Sequence, residues 1–560
     1  MFKNHPRGLF VAFFANMGER FGYYTMLAIF TLFLQAKYGY TAAQATQVFG
    51  IFLAAVYFMP LIGGILADRW LGYGKTISIG LVVMFLGYIL LAIPTKMDTN
   101  IGLVFAGLGV ISLGTGLFKG NLQALVGNLY DDPVYSKNRD VAFNIFYMGI
   151  NIGAMFAPTA AEAVSNWILK GHHLTYNAEI PALANKFLNG DTSVTEHLTR
   201  LAQAQVGQVT DLTAFATNYI NALGESYHYA FGVACLSLIF SMIIFWGFRK
   251  YYKVADKTER QKAKDKDLQN QVVELTPEQT KQRLVALGLI FFVVIFFWMA
   301  FHQNGAAMTI FARDYVVGSV DRFTNLFFDL FGLIFIFLSI LGLIFMVRKK
   351  SSTRTRIISA IGFMVFAVLT VLRFNSYADV NPFTPQKFQH FNPFFIVALT
   401  PLIVGYFGYL NKKGKEPSAP KKIGIGMIIT AVAYTIMIIA SLHLRGYDPG
   451  VIGEVRAPEE VLISPYWLIS TYFLLTIAEL FLSPMGISFV SRVAPPKYKG
   501  LMQGGWLAAT AIGNYAVGIL GLFWNKLPLW AFWMILVICC ILSATFIFSI
   551  LKRLEAATNS

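Results

Sequence analysis

Glu19 and Arg20 stand side by side within the first long apolar stretch of this 560-residue chain, where a charged side chain costs about 2.5–3.5 kcal/mol to insert. With Asn16, Tyr23, Tyr24 and Leu27 they follow the i, i+3, i+4, i+7 spacing of one helical face, and all but Leu27 are polar. Lys119 lies equally deep, in GTGLFKGN, and Glu479 in AELFLSPMG, with Ser483 one turn on and Pro484 interrupting the ladder behind it. Charges this far from water persist mainly where they face protein or a wet cavity. Arg20 is suited to grip a carboxylate bidentately, Lys119 adds a second cation, and Glu479 can receive an ammonium group. One cavity lined by all three would suit a small zwitterion. Each extended residue adds about 3.3–3.6 Å, so a site of fixed width would admit chains of two or three residues. Tyr23, Tyr24, Tyr57, Trp298 and Trp506 are candidates for side-chain pockets, although an aromatic in a span is more often packing. The plainer readings are a Glu19–Arg20 pair that only holds helices together, and a structural ion pair between Glu479 and Lys119.

The elements that must position these residues are membrane spans. The chain is 56% hydrophobic and 13% charged, against about 25% charged in an ordinary soluble protein. A span needs roughly 20 mostly apolar residues, and fourteen such stretches are expected: 8–36, 44–66, 74–94, 100–128, 140–168, 227–248, 284–312, 324–347, 355–373, 391–410, 423–443, 463–490, 498–524 and 528–552. No cleavable signal peptide is expected, because the first stretch carries Glu19 and Arg20 and lacks a small-residue cleavage site. The net charge of +16 is concentrated in connections. Residues 249–283 hold ten Lys/Arg against six Asp/Glu, residues 348–356 five against none, and residues 411–422 five against one. Residues 170–224 and 443–462 together hold five basic and eight acidic residues. Excess Lys/Arg marks the cytoplasmic side, which places both termini inside and argues against nucleic acid as a partner. The expected division is an N-terminal six-span bundle (1–248) with an outside loop at 170–224, a cytoplasmic linker (249–283), and a C-terminal bundle (284–560) with an inserted helix pair at 324–373. No Walker-type nucleotide motif is present, and Cys235, Cys539 and Cys540 sit inside apolar stretches without metal-ligand spacing. No cofactor, metal or enzymatic activity is expected; His302, Glu479 and Ser483 read better as site polarity than as a triad.

Six segments, in order along the chain, resemble the proton-dependent oligopeptide transporter family of the major facilitator superfamily. GERFGYY is similar to the end of that family's first-helix Glu-x-x-Glu-Arg motif, and GGILADRWLGYGKT (63–76) to the loop between helices two and three. GTGLFKGN and FNIFYMGINIGA (143–154) resemble the fourth- and fifth-helix motifs, FNPFF (391–395) the eighth-helix Asn-Pro, and residues 478–506 the tenth and eleventh helices. The resemblance implies an all-α fold of two six-helix bundles, here with two extra helices, and import of di- and tripeptides with protons by alternating access. It places Arg20 and Lys119 near the peptide carboxylate and Glu479, Asn151 and Asn392 near its amino end. Tyr23, Tyr24, Tyr57, Trp298, Ser483 and Trp506 would line the pocket, and Asp68 and Arg69 would help latch the inside gate.

Three departures bear on proton coupling. Asn16 replaces the motif's first acid, His302 stands where many members carry a seventh-helix acid, and Leu27 stands where many carry its arginine partner. Both members of that pair are replaced together, which makes His302 a candidate titrating group, since an imidazole titrates near 6.5. Glu19 and Glu479 are the other proton-carrier candidates. Rival expectations are a carrier of another small anion or amino-acid-like solute, and a receptor that binds peptide without moving it. The short polar connections suggest a bacterial inner membrane.

Overall fold

A computed structural model describes residues 5–256, 275–349, 351–495 and 498–559. Among these residues, fourteen helices of 18 residues or more carry the fold: α1 (Arg7–Tyr38), α2 (Ala42–Leu66), α3 (Tyr73–Ala92), α4 (Gly102–Asn128), α5 (Arg139–Gly171), α6 (Leu212–Gly247), α7 (Pro277–Phe301), α8 (Leu330–Val347), α9 (Thr353–Asn375), α10 (Phe391–Lys412), α11 (Ala419–Leu442), α12 (Tyr466–Val493), α13 (Lys499–Gly521) and α14 (Leu529–Ser549). Each apolar stretch read from the sequence falls on one of them. Among the described residues, twelve helical segments are long and apolar enough to cross a membrane. The two long helices outside that set, α1 and α13, carry Glu19 with Arg20 and Asn514 in their interiors. The chain is an all-α polytopic membrane protein.

Helix ends follow local chemistry. Thr41 and Gln44 close a capping box at the start of α2, and Thr276 and Gln279 do the same for α7. Gly39 ends α1 with φ 63°, a left-handed turn that costs glycine little. Buried apolar side chains gather into two cores, one drawn almost wholly from residues 9–255 and the other from 286–557. The two halves meet along α2 and α13, where glycines stand in for side chains. A Cβ on Gly50 would lie 2.7 Å from the Gly518 nitrogen, so the backbones approach as closely as small residues permit.

Three expectations need correction. The sixth span, expected at 227–248, is the 36-residue α6. Its first turns bury Phe215, Tyr219, Ile220 and Leu223, while Asn218, Asn221 and Glu225 lower the hydropathy of the same stretch. The 170–224 loop therefore shrinks to a cap of about residues 172–211 with helices at Ile180–Leu188 and Thr195–Val206. In the cap, Glu179 pairs with His197 at 3.0 Å, and burial pushes its carboxyl above the usual range against the pull of that imidazole. The seventh span is not continuous. A 3₁₀ turn at His302–Gly305 breaks it, and a second helix runs Ala307–Tyr315. The linker begins as 3₁₀ turns pinned to the first half, with Asp256 accepting from the Gly74 amide at 2.8 Å. The next stretch of the linker, 257–274, lies outside the described residues.

The inserted pair, α8 and α9, packs on itself. Gly342 lets the backbones close, since a Cβ there would lie 2.9 Å from the Phe363 nitrogen. Asp329, which caps α8, is held by Arg373 at 2.5 Å and Tyr377 at 2.6 Å. No residue of α9 is buried, so the pair offers its apolar surface outward, as lipid-facing helices do.

Candidate functional site

Glycine packing turns the polar stripe of α1 inward. Gly18 and Gly22 press against Ser241, Ser237 and Ala234 of α6, and Gly153 of α5 abuts the Met17 backbone, so the helices approach closely at these positions. The opposite face carries Asn16, Glu19, Arg20 and Tyr23, all buried. Arg20 Nε and Nη2 donate to Glu19 Oε2 and Oε1 at 2.5 and 2.6 Å, and the guanidinium lies over the Tyr23 ring at 4.6 Å. Each charge thus neutralises the other while the Nη1 end of the fork is uninvolved in the pair. Lys119 of α4 joins no ion pair among the described residues; its Nζ sits 3.7 Å from the Tyr57 ring centroid, a cation–π contact. It is close enough to feel the charges of Arg20 and Glu19.

On the second half, α12 presents Glu479. Asn392 of α10 donates to Glu479 Oε2 at 3.0 Å and to Thr476 Oγ1 at 3.1 Å. The hydroxyl of Tyr147, on α5 of the first half, donates to Glu479 Oε1 at 3.2 Å. Tyr24 and Tyr57 lie within electrostatic range of both Arg20 and Glu479. The cationic and anionic groups therefore act on the same tyrosines. Tyr24, Tyr57, Lys119, Tyr147, Asn392 and Ser483 each keep part of their surface exposed despite their depth in the helices. The ion pair of Glu479 with Lys119 does not form; Glu479 is held by neutral donors.

His302 lies where α7 ends. Its ring stacks on Trp298 at 5.1 Å and 21°, and Tyr57 approaches from the first half at 5.9 Å. Lys119, Tyr57, His302 and Trp298 form a continuous contact chain across the two halves. Trp298 Nε1, His302 Nδ1, Asn16 Nδ2 and Tyr23 OH are buried with no hydrogen-bond partner among the described residues. Unmet buried groups cost about 1–3 kcal/mol each, so each of these four is open to a hydrogen bond with a polar ligand.

Trp506 of α13 rests on Gly486 of α12, where even a methyl group would overlap the indole. Gly486→Ala is expected to displace Trp506, weaken binding of a small zwitterion by about tenfold and cost about 1–3 kcal/mol of stability, read by equilibrium binding and by unfolding in detergent. Binding left intact would remove Trp506 from the pocket.

The structure thus brings together Arg20, Tyr23, Tyr24, Tyr57, Lys119, Glu479 and Asn392, with Trp298 and His302 joined by stacking. Asn151 is buried, but its Nδ2 donates back to the Tyr147 carbonyl at 3.0 Å. Asp68 and Arg69 lie apart, in a π-helical turn at 67–71; Asp68 accepts from Tyr73 OH at 2.6 Å and Arg69 is exposed. Sequence reasoning missed Tyr147 and Asn514. Tyr147 lies four residues before Asn151, on the same helical face, which was the available signal. Asn514, fully buried on α13, faces His302.

The sequence model of the POT family matches residues 74–184 and 379–529. The peptide transporter YePEPT of Yersinia enterocolitica subsp. palearctica is 26% identical over 543 residues, covering 93% of this chain and 88% of that protein. A di-/tripeptide transporter of Lactococcus lactis subsp. cremoris is 27% identical over 539 residues, covering 91% and 87%. The crystal structure of a peptide transporter POT in complex with sulfate superposes with a TM-score of 0.66 at 20% identity, over 100% of this chain and 97% of that one. That of a POT family transporter in complex with 5-aminolevulinic acid gives 0.66 at 18% identity, over 99% and 98%. The chain thus resembles the POT family in sequence over parts of both halves and shares the fold of these structures from end to end.

Proposed function

We propose that the chain is a secondary transporter that imports di- and tripeptides together with protons by alternating access, and that it is not an enzyme. The observation that carries this is the pairing of walls. Arg20 and Lys119 belong to one half, Glu479 to the other, and Tyr24, Tyr57 and Tyr147 stand between them. A peptide's carboxylate and ammonium groups would each meet an opposite charge, and its side chains would meet aromatic faces. Glu479 in the same space disfavours a simple anion such as nitrate. Peptide-transporter names among the relatives support the reading. The bound 5-aminolevulinic acid of one structural neighbour favours a second, narrower substrate class, single amino-acid-like zwitterions. The side carrying the cap and the 443–465 connection is taken as external and the basic connections as cytoplasmic, in a bacterial inner membrane.

The test is uptake of labelled di-alanine into proteoliposomes under an imposed pH gradient, with competition by tripeptides, single amino acids and nitrate. Accumulation blocked by di- and tripeptides alone is expected. Binding without accumulation would instead indicate a receptor. Proton carriage is assigned to Glu19, Glu479 and His302, with His302 answering to external pH. His302→Gln is expected to flatten the dependence of uptake on external pH, because the amide that replaces the imidazole cannot take up a proton. An unchanged profile would remove His302 from coupling.

A further inference from the structure

At the capped face the two halves are joined by polar contacts. Arg313 donates to Gln35 at 2.9 Å, Glu454 accepts from the Ala42 amide at 2.6 Å, and Gln389 donates to the Ala28 carbonyl at 3.2 Å. One of these junctions differs in kind. Glu162, in the last turns of α5, pairs through Oε2 with Lys387 Nζ at 2.7 Å. Its Oε1 accepts from the Thr384 hydroxyl at 2.8 Å and from the Thr384 amide at 3.2 Å. Glu162 is 9% and Lys387 15% exposed. Among the described residues it is the one ion pair that joins the halves at this face.

Its mounting is stiff on both sides. Thr384 and Lys387 belong to a strap that leads into α10. Asn381–Pro382 pairs with Ser319–Val320, the Phe383 amide bonds to Gly318 O at 3.1 Å, and Phe383 stacks on Phe328 at 4.1 Å. Glu162 rides on a 33-residue helix. Neither partner can follow the other if the halves separate. By contrast Leu27 and His302, nearer the site, form no charge pair; His302 is engaged with Trp298.

We infer that the Glu162–Lys387–Thr384 junction is the latch that holds the capped face shut, and that it must break for each substrate to enter from that side. This inference rests on the alternating-access reading above. A charge-assisted bond shielded from water satisfies both charges in the closed state. Once both partners are hydrated, an opened latch costs little, which gives the element two stable arrangements. Removing one partner leaves the other buried and unpaired, so the closed state suffers most from single changes.

The experiment measures distances by pulsed electron paramagnetic resonance in nanodiscs without peptide. Spin labels are placed at Lys170→Cys and Arg445→Cys, both exposed on the capped face, with Cys235, Cys539 and Cys540 replaced by serine or alanine. Expected is a single short distance for the parent. Glu162→Gln and Lys387→Gln should each raise the long-distance population by about tenfold, the size of a lost charged hydrogen bond. The double variant should shift less than the two singles combined, because it leaves no orphaned charge. Unchanged distributions in the single variants, or strictly additive shifts in the double, would overturn the latch. If one single variant does not fold, the other gives the same reading. Because no peptide is present, a failure of peptide uptake would leave this measurement decisive by itself.

Discussion

Glu479→Gln is expected to lower kcat/KM for di-alanine uptake by about ten- to a hundredfold. The substitution keeps the shape of the side chain, and Tyr147 can still donate to it, but it removes the negative charge of that wall. Hydrogen bonds to charged groups contribute about 1.5–3 kcal/mol, and at a desolvated site that difference appears directly in transition-state binding. The loss should fall on peptides with a free amino end. N-acetylated di-alanine, which brings no ammonium, should be transported as poorly by the variant as by the parent. Equal losses on both peptides would show that Glu479 does not read the ammonium group. Initial rates in proteoliposomes for the two substrates decide it.

Arg20→Ala should strongly destabilise the first half. Glu19 is fully buried, and its partner within α1 is Arg20. Breaking a buried pair by removing one member typically costs about 3–5 kcal/mol, because the remaining charge stays in a poor solvent. Glu19→Gln together with Arg20→Ala should recover most of that stability, since no ion is stranded, while uptake remains lost in both. Unfolding by SDS in mixed micelles measures the first quantity, and uptake the second. A double variant as unstable as the single would place the effect in packing around Tyr23 rather than in charge.

The charges were the legible part of the site. Glu19, Arg20, Lys119 and Glu479 are improbable in apolar stretches, so each announced itself without a structure. Their convergence was not legible, because it depends on Tyr147 reaching Glu479 across 332 positions of sequence. The helices were readable for the same reason as the charges: a lipid environment demands long apolar runs. Boundaries failed where protein replaces lipid. The first turns of α6 pack against the cap, so their polar residues carry no insertion penalty, and hydropathy reports that penalty alone. The break after Phe301 was also hidden. The backbone turns at Ala306, but the stretch on either side is apolar enough to read as one span. Glu162 and Lys387 gave no signal at all, because charges near a helix end can reach water and are therefore unremarkable in sequence.

The interrupted backbone after Phe301 has a further consequence for turnover. The carbonyls it frees are served by side chains: Tyr472 and Thr309 donate to Asn304 O at 3.0 and 2.8 Å, and Thr31 donates to Gly305 O at 3.3 Å. Two of these donors move with the second half, but Thr31 belongs to the first. When the halves part at this level, Gly305 O must exchange a hydroxyl for solvent. Each transport cycle therefore wets and dries one peptide group, and heavy water or osmotic stress should register in the rate of that step.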